Sequence, residues 1–331
     1  MKKTIRRALL AILVPALLAS AWMTHYANTL LSLPRLPFEF TLKHGSSLRS
    51  VARQLTEAGV LRKPWAFTAL VRLFGKASAV KAGNYQLDKN LTPMQLFRKI
   101  TEGDVTQSEI TFIEGWNFGQ LRKALDEHPG IRHETRGLSE QEILARIGAD
   151  KSHAEGLFFP DTYFFSTGMS DVDILRRAYQ TMSVHLAKEW EGRAPGLPYT
   201  IPYQALIMAS IIEKETGQAG ERPLVAAVFV NRLRLGMRLQ TDPTVIYGLG
   251  QAFDGNLHKR DLTTDGPYNT YTRAGLPPTP IAMPGLESIH AALHPAANPV
   301  LYFVAKGNGT HKFSVSLAEH NRAVARYQLR R

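Results

Sequence analysis

"YQALIMASIIEKETG" runs from Tyr203 to Gly217, and its reading decides what the C-terminal two thirds of the chain can be. At 100° per residue, Leu206, Ile207, Met208, Ala209, Ile211 and Ile212 cover nearly the whole circumference of a helix. A helix that is apolar all round is buried. Only Ser210 and Lys214 share a polar edge. Two carboxylates close the stretch on different faces: Glu215 falls between the directions of Met208 and Ile211, and Glu213 points about 160° away. The spacing therefore predicts one structural and one functional glutamate. The last helical turn carries partial negative charge, and apolar surroundings add to it. Both raise a carboxyl pKa and favour a proton at neutral pH, as a general acid requires. The competing reading is a glutamate held by a buried arginine, with Arg222, Arg232, Arg234 and Arg238 near in sequence.

The sequence around this helix reads as α+β. Pro223–Leu235 is a second buried helix, ended by Gly236. Leu239-Gln240-Thr241-Asp242-Pro243 begins another, with Asp242 either its N-cap or part of a site. "GPYNTYTRAGLPPTPIAMPG" is a proline-stiffened loop of the kind that suits binding sites. "LYFVAKGNGTHKFSVS" is a hairpin with a Gly-Asn-Gly turn, and "LAEHNRAVARYQLR" a closing helix. Upstream, "SEITFIEG" is a strand, and "NFGQLRKALDEH" and "SEQEILARIGA" are amphipathic helices. "EGLFFPDTYFFSTGM" is an aromatic stretch that either fills a core or floors a sugar-binding groove. Asp171–Trp190 is a long helix capped by Asp171.

The first third has a different character. The chain has 331 residues and a net charge of +12, and residues 1–105 hold 16 Lys and Arg against 5 Asp and Glu. The rest is nearly balanced, so an anionic partner faces the first third alone. Nucleic acid, an anionic membrane leaflet and an acidic cell-wall polymer all fit that charge, and the want of nucleic-acid-binding motifs speaks against the first. With no cysteine there is no disulfide framework and no thiolate chemistry.

Residues 1–7 form a basic tail, and "ALLAILVPALLASAWM" from Ala8 begins an apolar run. Taken through residue 32, it predicts a transmembrane anchor with the cations inside. Cleavage after the Ala19-Ser20-Ala21 site is the rival expectation. Residues 38–105 read as strand, helix, helix at Pro64–Leu73, strand and a helix capped by Thr92 with Pro93 at its first position. This module resembles LysM, or is a plain α+β spacer. His290 and His294 have the spacing of a zinc pair, yet no third ligand is evident in the sequence. Hydrolase elbows, phosphate loops and dinucleotide fingerprints are missing.

Read in order, "KAGNYQL", "EGLFFPDTYFF", "SIIEKET", "VFVNRLRLGMRLQTDPTVIYGLG", "YNTYTRAGLPPTPIAMPG", "HPA", "YFVAKGNGTHKFS" and "EHN" resemble the YceG-like endolytic murein transglycosylases, MltG type. The resemblance spans about Phe38 to Tyr327. It implies a membrane helix, a LysM-like module and a larger catalytic domain over residues 106–331, held at the cell inner membrane by a single pass and facing the periplasm. It implies cleavage of nascent peptidoglycan strands between N-acetylmuramic acid and N-acetylglucosamine, with 1,6-anhydro ends and no metal or cofactor. The second glutamate of "EKET", Glu215, takes the catalytic role. Glu213, Gln240, Asp242, Asn269 and Tyr271 fall in motifs expected to line the substrate groove. Implied partners are glycan strands, the cytoplasmic membrane and peptidoglycan synthases. The alternative is an inactive, membrane-anchored glycan-binding protein that recruits wall-synthesis enzymes.

Overall fold

The structure is a computed structural model that describes residues 2–34, 36–42, 46–76, 79–81, 83–104 and 107–329. The chain divides into two compact units, residues 1–108 with 164–168, and residues 109–163 with 169–331.

The first unit opens with helix α1 (Lys2–Asn28). Met1 and the side chains of residues 2–10 and 12 lie outside the described residues, so the basic tail and part of the predicted span fall there. Among the described residues no helix is long and apolar enough to cross a membrane. Strand β1 (Phe38–Leu42), helices α2 (Leu48–Glu57) and α3 (Pro64–Leu73), strand β2 (Gly83–Leu87) and helix α4 (Pro93–Glu102) follow. β1 and β2 pair antiparallel, from Phe38 opposite Leu87 to Leu42 opposite Gly83. Local signals explain the helix starts. Ser47 caps α2 through the Ser50 amide, and Thr92 with Gln95 forms a complete capping box on α4. Val51, Leu55, Phe67, Tyr85, Leu96 and Ile100 fill the core between them.

Strand β3 (Gln107–Thr111) pairs with β5 (Thr162–Ser166). Between them come helix α5 (Phe118–Glu127), strand β4 (Ile131–Arg132) and helix α6 (Glu140–Ile147). β4 runs parallel to β6 (Met169–Ser170), which leads into α7 (Asp171–Glu191). Ser170, not Asp171, supplies the N-cap of α7. Asp171 is fully buried and accepts the Glu134 and Thr135 amides and the Thr135 hydroxyl, so its carboxylate ties an upstream loop to the helix start.

Helix α8 (Pro202–Glu215) is the centre of the second unit, with every residue from Ala205 to Ile212 buried. Helices α9 (Arg222–Arg234), α10 (Asp242–Leu249) and α12 (Leu286–Leu293) pack on it, as does α7, and the short α11 (Lys259–Thr263) lies between α10 and α12 in sequence. The hairpin is β7 (Tyr302–Ala305) with β8 (His311–Ser314), paired antiparallel, and α13 (Leu317–Tyr327) packs on it.

Two expectations about α8 change. It ends at Glu215, because Thr216 turns extended with φ −146°. Ser210 is not on a polar edge but fully buried, where its hydroxyl donates to Ile207 O and accepts the Ile281 amide. Most of the aromatic stretch is core: Leu157, Phe158, Phe159, Tyr163 and Phe165 are buried, while Phe164 is 53% exposed.

Candidate active site

The two glutamates at the end of α8 part company, as their separation of about 160° around the helix requires. Glu213 accepts the Gly285 amide at 3.0 Å, and Arg222 Nη2 lies 3.7 Å from its other oxygen. Both side chains of that pair are nearly closed to solvent. Glu213 is thus the glutamate held by an arginine, and it secures the turn before α12. That turn has no spare room, since a Cβ on Gly285 would sit 1.9 Å from Glu114 Oε1.

Glu215 faces a cleft of about 480 Å³ lined by residues of α8–α10, the hairpin and α13. Its Oε1 accepts the hydroxyl of Thr241. Burial pushes its carboxyl from 4.5 to about 7, and the nearby Asp242 carboxylate adds to the rise. The Thr241 hydrogen bond, then His311 and Arg232, oppose it by favouring the anion. A group held near neutrality can give a proton and take one back.

Thr241 is the residue that sequence reasoning missed. It stands at the N-cap of α10 but makes no side-chain cap bond, because its hydroxyl is turned to Glu215. Its backbone is fixed by buried threonines: Thr270 Oγ1 accepts its amide at 3.1 Å, and Thr244 Oγ1 donates to its carbonyl at 2.8 Å. Asp242 is the first residue of α10 and not its cap, which corrects the capping alternative. Its exposed carboxylate lines the cleft and accepts the Tyr271 hydroxyl at 2.5 Å. Burial and that bond raise Tyr271 above the usual tyrosine value, so it stays a donor.

Gln240 also lines the cleft and carries the one positive φ of a non-glycine among the described residues, 52°. Strain of this kind persists where surrounding contacts enforce it, and here the Gln240 amide is tied to Thr270 O at 3.1 Å. Asn269, by contrast, is buried and does not line the cleft. Its amide group donates to Asp261 O, Leu262 O and Thr264 O, while its oxygen accepts the Tyr271 amide, so it holds the loop that presents Tyr271. Of the proline-rich loop, Tyr271 alone reaches the cleft; Thr279–Gly285 are buried, and Met283 exchanges hydrogen bonds with Gly115 and Trp116.

Three further residues come from far along the chain. Arg232 is buried, donates to Leu301 O and Leu239 O at 2.7 Å each, and lies over the Tyr302 ring; burial pulls it below the usual arginine value. His311 is held by Glu221 through both its amide and Nδ1, at 2.9 and 2.7 Å. His320 stacks on Tyr302, and its buried Nδ1 has no protein partner. A second glutamate is also pushed to about 7 by burial. This is Glu155, which accepts the Phe118 amide and does not line the cleft.

The YceG-like family model matches residues 40–326. An endolytic murein transglycosylase of Bacillus subtilis (strain 168) is 33% identical over 307 residues, covering 86% of this chain and 82% of that protein. The endolytic murein transglycosylase of Streptococcus pneumoniae (serotype 2, strain D39) is 24% identical and matches 86% of this chain and 57% of its own length. A crystal structure of a yceG-like protein from Listeria monocytogenes superimposes with a TM-score of 0.54 at 30% identity, over 86% of this chain and 98% of that one. On the match across residues 40–326 and the identity to the Bacillus protein, the chain belongs to the YceG-like family.

Proposed function

We propose that this chain is an endolytic lytic transglycosylase that cuts peptidoglycan glycan strands between N-acetylmuramic acid and N-acetylglucosamine. The observation that carries the reading is Glu215, a carboxyl held at about 7 at the edge of an open cleft. Protonated Glu215 gives its proton to the glycosidic oxygen as the bond to muramic C1 breaks. The resulting carboxylate takes the proton of the muramic C6 hydroxyl, and that oxygen closes on C1. The product is a 1,6-anhydro end, no water is consumed, and Glu215 recovers its proton. The Thr241 hydroxyl and Arg232 steady the anionic stage, since both favour ionised Glu215. Gln240, Asp242 and Tyr271 offer polar groups to the sugars along the cleft.

We further propose that residues 8–32 anchor the chain in the inner membrane by a single pass, with residues 1–7 on the cytoplasmic side, residues 38–105 as a LysM-like module and the cleft in the periplasm beside peptidoglycan synthases. Four cations before an uncharged run support it.

The test is digestion of uncrosslinked strands in ¹⁸O-water, read by mass spectrometry. Unlabelled anhydro ends are expected. Label at the new muramic end would make water the nucleophile, with Asp242 the acid placed to activate it. No cleavage at all would leave the glycan-binding alternative.

A further inference from the structure

We propose that Glu189, His290 and His294 form a binding site for a divalent transition-metal ion of the zinc class, apart from the cleft. Glu189 lies in the last turn of α7, His290 on α12, and His294 is the residue that closes α12. The two histidines are four apart on one helical face, and their rings stack with centroids 4.3 Å apart. Glu189 Oε2 lies 2.7 Å from His290 Nδ1. One ligand atom from each of the three lies within 4.8 Å of the other two, and this is the one such trio among the described residues. Sequence spacing offers only the pair; the fold brings the carboxylate from 101 residues away.

The donor set decides the class of ion. Two imidazoles and a carboxylate suit zinc and its neighbours, whereas magnesium and calcium take oxygen ligands. Metal–ligand bonds of about 2.0–2.2 Å put tetrahedral ligands roughly 3.4 Å apart. The Glu189–His290 contact must therefore open slightly and His294 must draw in. The His290 side chain is 53% exposed and has room to turn, while Glu189 at 16% is the fixed point. The Glu189–His290 hydrogen bond occupies the place of the ion, so binding replaces that contact with two metal–ligand bonds. The fourth position remains open to water. None of the three residues lines the cleft. The ion ties the end of α7 to the end of α12, where Ala194 N already donates to Leu293 O at 3.0 Å. Because α12 packs on α8, the effect is on the stability of the catalytic unit and not on the reaction.

The experiment uses the full chain stripped of metal, titrated with zinc chloride by calorimetry and thermal melting. One equivalent of zinc is expected to bind and to raise the melting temperature, with no rise from magnesium. His290→Gln and His294→Gln should each weaken binding by more than about tenfold and suppress the zinc-induced rise, measured against each variant's own metal-free melt. Absence of zinc binding, or binding that both substitutions leave intact, overturns the proposal.

Discussion

Replacing Glu215 by glutamine should make the protein inactive and, at alkaline pH, more stable. Raising the carboxyl from 4.5 to about 7 corresponds to about 3 kcal/mol against the anion, at about 1.4 kcal/mol per pH unit. The sign follows from proton counts. Between these two values the native state binds more protons than the unfolded state, so stability falls as pH rises through the window. The penalty is absent below about pH 4.5 and complete above about pH 7. Glutamine keeps the volume and can still accept the Thr241 hydroxyl, so little else changes. Urea unfolding of parent and Glu215→Gln at pH 4.5, 6 and 8 measures the difference directly. Glu155 titrates in the same range but is common to both proteins and cancels. The variant should gain about 2–3 kcal/mol at pH 8 and under about 0.5 kcal/mol at pH 4.5. A difference that does not change with pH would refute the claim that burial holds this carboxyl high.

Cleavage should fall away on the alkaline side with a midpoint near 7, where Glu215 loses its proton; Thr241→Val removes a bond to the anion, so the pH–rate profile should show that midpoint higher, and Thr241→Ser should restore it. Glu213→Gln breaks the nearly buried pair with Arg222 and should cost about 3 kcal/mol in a denaturant titration, with cleavage retained by the folded fraction. Gln240→Gly relieves a positive φ and should leave the melt unchanged or raise stability by about 1 kcal/mol, while KM for glycan strands rises if the side chain contacts sugar.

Most of the fold was legible because its signals are local. The all-round apolar run of α8, the Thr92 cap and the Gly-Asn-Gly turn each act within a few residues. The site was legible only in part. "TDP" offers two good capping residues in succession, and nothing local says which takes the cap. The choice is tertiary: Glu215, 26 residues away, claims the Thr241 hydroxyl, and Tyr271 claims the Asp242 carboxylate. Asn269 sits in a motif beside Tyr271, yet spacing cannot separate a residue that lines a cleft from one that braces the loop behind it. Arg232, His311 and His320 lie on separate elements, and only the folded hairpin brings them to the cleft.

The enclosure of α8 makes it a ruler as well as a core element. Its length sets where both terminal glutamates fall, and its buried circumference leaves it no freedom to turn. A single residue inserted after Ile207 would advance everything downstream by about 1.5 Å and 100°. Glu215 would leave Thr241 and Glu213 would leave the Gly285 amide in the same step. A residue added to an exposed loop leaves both contacts in place, whereas one added between Pro202 and Glu215 breaks both.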